Sequence, residues 1–258
     1  MTITPPALRL PAKSPGFSLL ELLVVVAMLA LLAALVAPAL AYAKNRSKTS
    51  GCLNNLRQTA VAWKVYSDEN RGTLAANKPQ ADDQTTWING TISAHSATNA
   101  SLITSGTLYP LLQTLNPFHC PADATFYDGI PTVLSYSMNG WMGSRVMLQD
   151  GAGGNNAAYR TFMRETEINT IGATSRLWVM TDEDASTLDD GWFAVGMDDR
   201  HPFASFPGRR HANGGGVNFA DGHAEIFKLR DPATLPGNHA ISATNSDWLL
   251  WKQMTSEQ

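Results

Sequence analysis

The sequence has little cysteine, no basic tract and none of the common catalytic signatures. Only two of its 258 residues are cysteine, which excludes a disulfide-dense scaffold and leaves room for one bridge. Formal net charge is −3, and no run of Lys and Arg indicates nucleic-acid binding. A Gly-x-Ser-x-Gly motif, a P-loop and a dinucleotide fingerprint are all missing. We therefore expect neither nucleic acid as a partner nor an enzyme of the classes that carry those motifs.

Charge is also missing from one long stretch near the N-terminus. Residues 22–43 contain no charged side chain, and a single acid, Glu21, precedes them. As a helix this stretch spans about 33 Å, enough to cross a bilayer core of about 30 Å. A carboxylate beside hydrocarbon is costly, which indicates that Glu21 has a function or a partner. An ordinary signal-anchor helix is the alternative, but it has no need of that glutamate.

The remainder of the chain has the composition of one globular domain. The full chain has 44% hydrophobic and 16% charged residues, and it is long enough to bury a sizeable core. The apolar helix is predicted to continue as an amphipathic helix over residues 44–71 and to stop at Asn70-Arg71-Gly72, since glycine suits the position after a helix. Short strand patterns follow, so an α+β head is expected.

The start of the apolar stretch carries a family resemblance. Gly16, Phe17, Leu19, Leu20, Glu21 and the apolar run resemble the N-terminal signature of type IV prepilins and type II secretion pseudopilins. The resemblance implies that a prepilin peptidase cuts between Gly16 and Phe17 and methylates the new N-terminus. It also implies that Glu21 acts in assembly by pairing with a neighbouring subunit, and Pro38 falls where pilin helices often carry a proline.

The resemblance further implies a pilin-like fold and a location. We expect a leader (1–16), a transmembrane half-helix (17–43), an amphipathic half-helix (44–71) and a head with antiparallel β-sheet (72–258), the long helix packing on the head. The protein would be a single-pass protein of the bacterial inner membrane, with a cytoplasmic N-terminus and a periplasmic head. Its partners would be the prepilin peptidase and other pilin-like subunits, in a homo- or heteropolymer.

A second resemblance involves a predicted β-hairpin. Asp221-Gly222 between two alternating runs indicates a two-residue type I′ turn, with Val217 opposite Ile226 and with Phe219 and Ala224 on the same face, against the 44–71 helix. His211 followed after nine residues by Asp221-Gly222 resembles a prepilin-associated His-x9-Asp-Gly domain. We expect His211 to contact the Asp221 carboxylate and to hold the Gly-rich loop on the hairpin.

Two metal sites are alternatives to structural roles for the same residues. His211, Asp221 and His223 would suit a transition metal. Asp182, Asp184, Asp189 and Asp190 form an acidic loop that would suit calcium, although the spacing is not that of an EF-hand. Hydrogen bonds within the turn and solvation of the acidic loop explain the two residue sets without a ligand. The leading expectation is therefore that no cofactor binds.

Cys52 and Cys120 are expected to form a disulfide, because a periplasmic head lies where thiols oxidise. Two separate buried thiols are the alternative, since free cysteine is often buried.

The function expected is that of a structural subunit, not an enzyme, assembled into a type II secretion pseudopilus or a type IV pilus-like fibre. The alternatives are a membrane-anchored binding module that does not polymerise and an anchored metal-dependent enzyme that uses His211, Asp221 and His223.

Overall fold

The computed structural model describes residues 16, 18–77, 86–92, 96–144, 159–197, 203–237 and 241–256. The predicted leader before Gly16, and Phe17, lie outside the described residues. The chain divides into two compact units, Met1–Lys44 and Asn45–Gln258.

The first helix, α1, runs from Leu19 to Glu69 and contains Pro38. Within the first unit its large apolar side chains are exposed throughout. It is the one helix among the described residues that is long and apolar enough to cross a membrane.

Residues 45–69 of α1, which we call the stalk, belong to the second unit. Their buried residues recur every three or four positions and form one face of the helix; they are Cys52, Leu56, Thr59, Ala60, Ala62, Trp63 and Ser67. The helix ends as its sequence predicts: the Gly72 N–H donates to the Ser67 carbonyl at 2.8 Å, and Gly72 has φ +78°. The predicted amphipathic helix is therefore confirmed, with its last residue at Glu69.

The rest of the second unit is the head, with a mixed but mostly antiparallel sheet. Its elements in chain order are α2 (Ser101–Thr104), α3 (Tyr109–Leu112), a 3₁₀ turn (Asn116–Phe118), β1 (Phe126–Tyr127), β2 (Ile130–Pro131), β3 (Tyr136–Asn139), α4 (Glu165–Thr170), β4 (Trp178–Asp182), β5 (Trp192–Phe193), β6 (Gly214–Phe219), β7 (Ala224–Lys228) and α5 (Ser246–Thr255). Strands β1 and β2 pair separately, and the five-stranded sheet has the order β5-β3-β4-β6-β7. Within this sheet, β3 and β5 pair in parallel and the other neighbouring strands pair antiparallel. The expected α+β architecture, a long N-terminal helix and a head with antiparallel sheet, is confirmed.

The β6–β7 hairpin forms with a different turn and register from those expected. Val217 pairs with Glu225 and Gly216 with Ile226, one residue away from the predicted pairing. The Gly222 N–H donates to the Phe219 carbonyl at 2.9 Å, and Gly222 has φ +93° whereas Asp221 is not at positive φ. A type I′ turn needs positive φ at both central residues; here a type I turn followed by a left-handed glycine closes the loop and shifts the register.

The two faces of β6 contact different helices, which corrects the predicted packing. Val217 and Phe219 pack in a cluster with Trp248 and Trp251 of α5, away from the stalk. The stalk lies against the other face, where a Cβ on Gly216 would come within 2.5 Å of Leu56 Cδ1. Every β6 residue is buried, and the missing side chain of Gly216 lets the stalk approach the face that was expected to be solvated.

Asn218 joins the stalk to the sheet. Its Nδ2 donates to the Leu56 carbonyl at 2.7 Å and to Thr59 Oγ1 at 3.2 Å, and its Oδ1 accepts from the Met180 N–H at 2.7 Å. That N–H lies where the β4–β6 register shifts. The side chain thus satisfies the buried Met180 N–H and connects it to the Leu56 carbonyl of the stalk, which also accepts from Thr59 Oγ1 at 3.0 Å.

We expect Asn218→Leu to lower the free energy of unfolding by about 3 kcal/mol, since it removes three hydrogen bonds and leaves the buried Met180 N–H without its partner. Urea denaturation of the full chain in detergent measures this. Asn54→Leu is the matched control, because Asn54 lies on the exposed side of the stalk helix. Equal effects at the two positions would contradict the role given to Asn218.

Candidate functional site

Four metal-ligand side chains meet in the core of the second unit. Cys52 comes from the stalk, Cys120 follows the 3₁₀ turn, Asp182 ends β4, and His211 precedes β6. All four are buried, and one ligand atom of each lies within 4.8 Å of those of the other three. We call these residues the Cys₂-Asp-His cluster.

The contacts around the cluster fix three of its side chains. His211 Nε2 lies 3.2 Å from Cys120 Sγ, and His211 Nδ1 lies 3.1 Å from Thr49 Oγ1. The Tyr136 hydroxyl donates to Cys52 Sγ at 3.3 Å. Because both ring nitrogens of His211 have partners, its ring plane is set with Nε2 toward the sulfur.

The fourth member, Asp182, is satisfied on one side only. Arg210 Nη1 donates to Asp182 Oδ1, and Arg210 Nη2 forms an ion pair with Asp123 Oδ2 at 3.0 Å. Asp182 Oδ2 is buried and has no hydrogen-bond partner. The cluster therefore contains a buried carboxylate oxygen that protein atoms do not satisfy.

Burial and mutual contact shift the pKa values of the cluster in opposite directions. Loss of solvent raises the pKa of Asp182 well above its usual range, although the Arg210 guanidinium opposes this. The hydrogen bond from the Cys52 thiol, with that from His211, lowers the pKa of Cys120. The same contact with Cys120, together with burial, raises the pKa of Cys52. The arrangement favours a thiolate at Cys120.

Both cysteines are free thiols in this structure. The sequence places them far apart, and the fold brings their sulfurs to within 4.8 Å. The predicted disulfide is thus not formed here, and the expected proximity of the two cysteines is found.

His211 lies at the opposite end of β6 from the Asp221-Gly222 turn, so the predicted contact between them is wrong. A strand of six residues spans about 20 Å. Asp221 Oδ1 instead lies 2.6 Å from His223 Nδ1, and the His223 ring stacks on Phe219 with 4.2 Å between centroids. The proposed metal set of His211, Asp221 and His223 is wrong for the same reason, because the strand separates its members.

The acidic loop does not form the alternative calcium site either. Asp184 Oδ1 accepts from the Ser186 N–H at 3.0 Å, and Asp190 Oδ1 accepts from the Trp192 N–H at 2.9 Å. Within the part of the chain that the structure describes, Asp182 groups with Cys52, Cys120 and His211 and not with Asp184, Asp189 and Asp190. Asp182 lies in the buried strand β4, whereas the residues after it form turns that their own carboxylates stabilise.

At the start of α1, Ser18 and Glu21 form a capping box. Ser18 Oγ accepts from the Glu21 N–H at 3.2 Å, and Glu21 Oε2 accepts from the Ser18 N–H at 2.8 Å and from Ser18 Oγ at 2.8 Å. This reciprocal arrangement satisfies two N–H groups that a helix start otherwise leaves unpaired. The Ser-x-x-Glu spacing is visible in the sequence and was a missed signal.

After the capping box, α1 presents only apolar and small side chains up to Tyr42, and all of them are exposed. Water is a poor solvent for such a surface, so it requires lipid or protein around it.

This N-terminal segment is also what comparison with known proteins detects. Residues 12–37 match the prokaryotic N-terminal methylation motif. The chain carries a prepilin-type N-terminal methylation motif. No curated protein and no solved structure matches the chain significantly.

The prepilin motif includes Gly16, Phe17 and Glu21, the three residues to which the resemblance gave roles in processing and assembly. It ends before the stalk. The comparisons therefore support a pilin- or pseudopilin-like protein with a membrane anchor, and the His-x9-Asp-Gly resemblance rests on the quoted residues alone.

Proposed function

We propose that the chain is a pilin-like structural subunit that a prepilin peptidase cuts after Gly16 and methylates at Phe17. The processed subunit then joins other pilin-like subunits in a type II secretion pseudopilus or a type IV pilus-like fibre. The observation that carries this proposal is the prepilin motif over residues 12–37, at the start of a helix whose apolar side chains are exposed over residues 19–42.

The exposed surface supplies the physical reason for assembly. Before assembly, lipid covers the apolar side chains of residues 19–42; in a fibre, the same side chains pack against those of other copies. The subunit would lie in the bacterial inner membrane with its leader in the cytoplasm, where the peptidase of this family acts, and with its head in the periplasm.

On this proposal the chain is a substrate of an enzyme and not an enzyme itself. The side chains of the Cys₂-Asp-His cluster are the strongest candidates for catalysis or metal binding, and all four are buried in the core. A buried and closed arrangement of this kind suits a structural role, because catalytic metal sites keep a position open to substrate.

Processing is tested by the mass of the N-terminal peptide of the membrane-extracted chain. We expect a chain that begins at Phe17 and carries one N-methyl group. Gly16→Val is expected to abolish cleavage, because a branched side chain beside the bulky Phe17 obstructs access to the bond.

Ala7→Val adds the same kind of bulk to the leader outside the motif and should leave cleavage intact. A wild-type chain that retains its leader, or one cut beyond the apolar run as an ordinary signal peptide is, would refute the proposal.

A further inference from the structure

The Cys₂-Asp-His cluster has the composition of a structural zinc site. Zinc is bound by thiolate sulfur, imidazole nitrogen and carboxylate oxygen, usually four in number and tetrahedral. Such bonds, of about 2.0–2.3 Å, place neighbouring donor atoms about 3.3–3.8 Å apart. The Cys120 Sγ–His211 Nε2 distance is 3.2 Å and the four donors all lie within 4.8 Å of one another, so small side-chain movements give the required tetrahedron.

The surroundings of the donors are those of a metal site. Ligating histidines bind a polar partner through the other ring nitrogen, which fixes the ring; His211 Nδ1 has Thr49 Oγ1 in this position. The two sulfurs also have donors: the Tyr136 hydroxyl for Cys52 at 3.3 Å, and the Ala122 N–H for Cys120 at 3.4 Å. These contacts hold each donor in place from its outer side.

The charge of the ligands and an unpaired buried oxygen also favour a cation bound in the cluster. Two thiolates and the Asp182 carboxylate would carry three negative charges, against the single guanidinium of Arg210, which Asp123 shares. Asp182 Oδ2 is buried without a hydrogen-bond partner, and such an oxygen is costly to leave unpaired. A divalent cation would offset the charge and supply the missing partner.

We propose that Cys52, Cys120, Asp182 and His211 bind one zinc ion, which fastens the stalk to the head. Cys52 is the stalk's ligand and the other three belong to the head, so the ion cross-links segments that are far apart in sequence. The same two sulfurs are those of the disulfide expected from the sequence. A disulfide would join the two sulfurs and leave Asp182 Oδ2 without a hydrogen-bond partner. Because a metal ion would also bind that oxygen, the geometry favours the metal.

The first test uses the wild-type full chain, extracted from membranes in detergent without chelator or reductant. Metal content is measured by mass spectrometry, and free thiols are counted by alkylation after denaturation. We expect one zinc per chain and two thiols. A chain with no metal and no free thiol contains the disulfide and overturns the proposal; a chain with two thiols and no metal overturns it as well.

The second test uses cobalt as a spectroscopic probe on the chelated, reduced chain. Tetrahedral cobalt with two thiolates gives visible d–d bands and a thiolate-to-metal charge-transfer band. We expect His211→Gln to lower the cobalt affinity by at least about 100-fold, and Thr49→Ala, which removes only the outer partner of that ring, by about 10-fold.

His223→Gln is the matched control, because His223 lies on the exposed hairpin turn beside Asp221. It should leave both zinc content and cobalt spectrum unchanged. His211→Cys separates loss of the ligand from loss of folding, because it keeps a donor at the same position. It should retain zinc and show a spectrum with stronger charge transfer. Metal that is lost with His223 and kept without His211 would refute the assignment.

Discussion

A chain carrying Glu21→Gln is expected to reach the membrane with a folded head and to be almost absent from fibres. In the low dielectric of an assembled bundle, the carboxylate would pair with the N-terminal amine of a neighbouring Phe17. Removing one partner of a buried ion pair costs about 3–5 kcal/mol, and 3 kcal/mol corresponds to about a 100-fold loss in association. The ratio of sheared-fibre to membrane-bound protein measures this loss.

The capping box makes this substitution informative. Glutamine at the same position can still accept from the Ser18 N–H, so Glu21→Gln removes the charge and keeps the cap. Ser18→Ala does the reverse and costs about 1 kcal/mol of helix-start stability. If Glu21 serves assembly, only Glu21→Gln is lost from fibres; if it serves only the helix start, Ser18→Ala has the larger defect and the pairing idea fails. The N-terminal mass of each variant must first show that processing is intact.

Replacing Arg210 by methionine is expected to lower the free energy of unfolding by about 3–5 kcal/mol, a large fraction of the stability of a typical domain. The Arg210 guanidinium pairs with Asp123 and Asp182, whose side chains are 2% and 0% exposed, and donates to the Glu183 carbonyl at 2.6 Å. Methionine keeps the apolar stem and removes the charge. Two buried carboxylates then lose their counter-charge. Urea denaturation of the full chain in detergent gives the difference.

The neighbouring Arg209 provides the matched control. It is also half-buried, but it bonds to Asn213 and to the Thr234 carbonyl, and no carboxylate pairs with it within the part of the chain that the structure describes. Arg209→Met should cost about 1 kcal/mol or less. Adding Asp123→Asn to Arg210→Met should recover part of the loss, because one unpaired charge is removed. If both arginine variants unfold at the same urea concentration, the buried ion pairs do not stabilise the head as described.

The hairpin shows how far local sequence patterns predicted this fold. The Asp-Gly turn correctly predicted that β6 and β7 pair. It did not predict their register, because the register depends on the φ angle of Asp221 and not on the type of residue at that position. The one-residue difference exchanged the two faces of β6. The alternation of apolar and polar residues did not show which face is buried either, because Gly216 leaves room for the stalk on the side that ordinarily meets water.

The candidate site was also predicted only in part from the sequence. Cys52, Cys120, Asp182 and His211 were each noticed in the sequence, but in three different interpretations: a disulfide, a calcium loop and a hairpin contact. Their convergence depends on the pairing of β4 with β6 and on the stalk lying over Gly216, and neither follows from local spacing. The N-terminal half-helix was predictable because its function depends on residues that are adjacent in the chain.

The placement of α5 has a consequence for the order in which this protein can fold. Trp248 and Trp251 are fully buried in a cluster with Trp178 and Phe193. In the sequence, Trp248 and Trp251 follow all five strands of the sheet. Until they arrive, one side of the sheet lacks its cover and exposes aromatic surface. On the proposed topology, a head that crosses the membrane from its N-terminal side cannot complete this core until residue 255 has crossed.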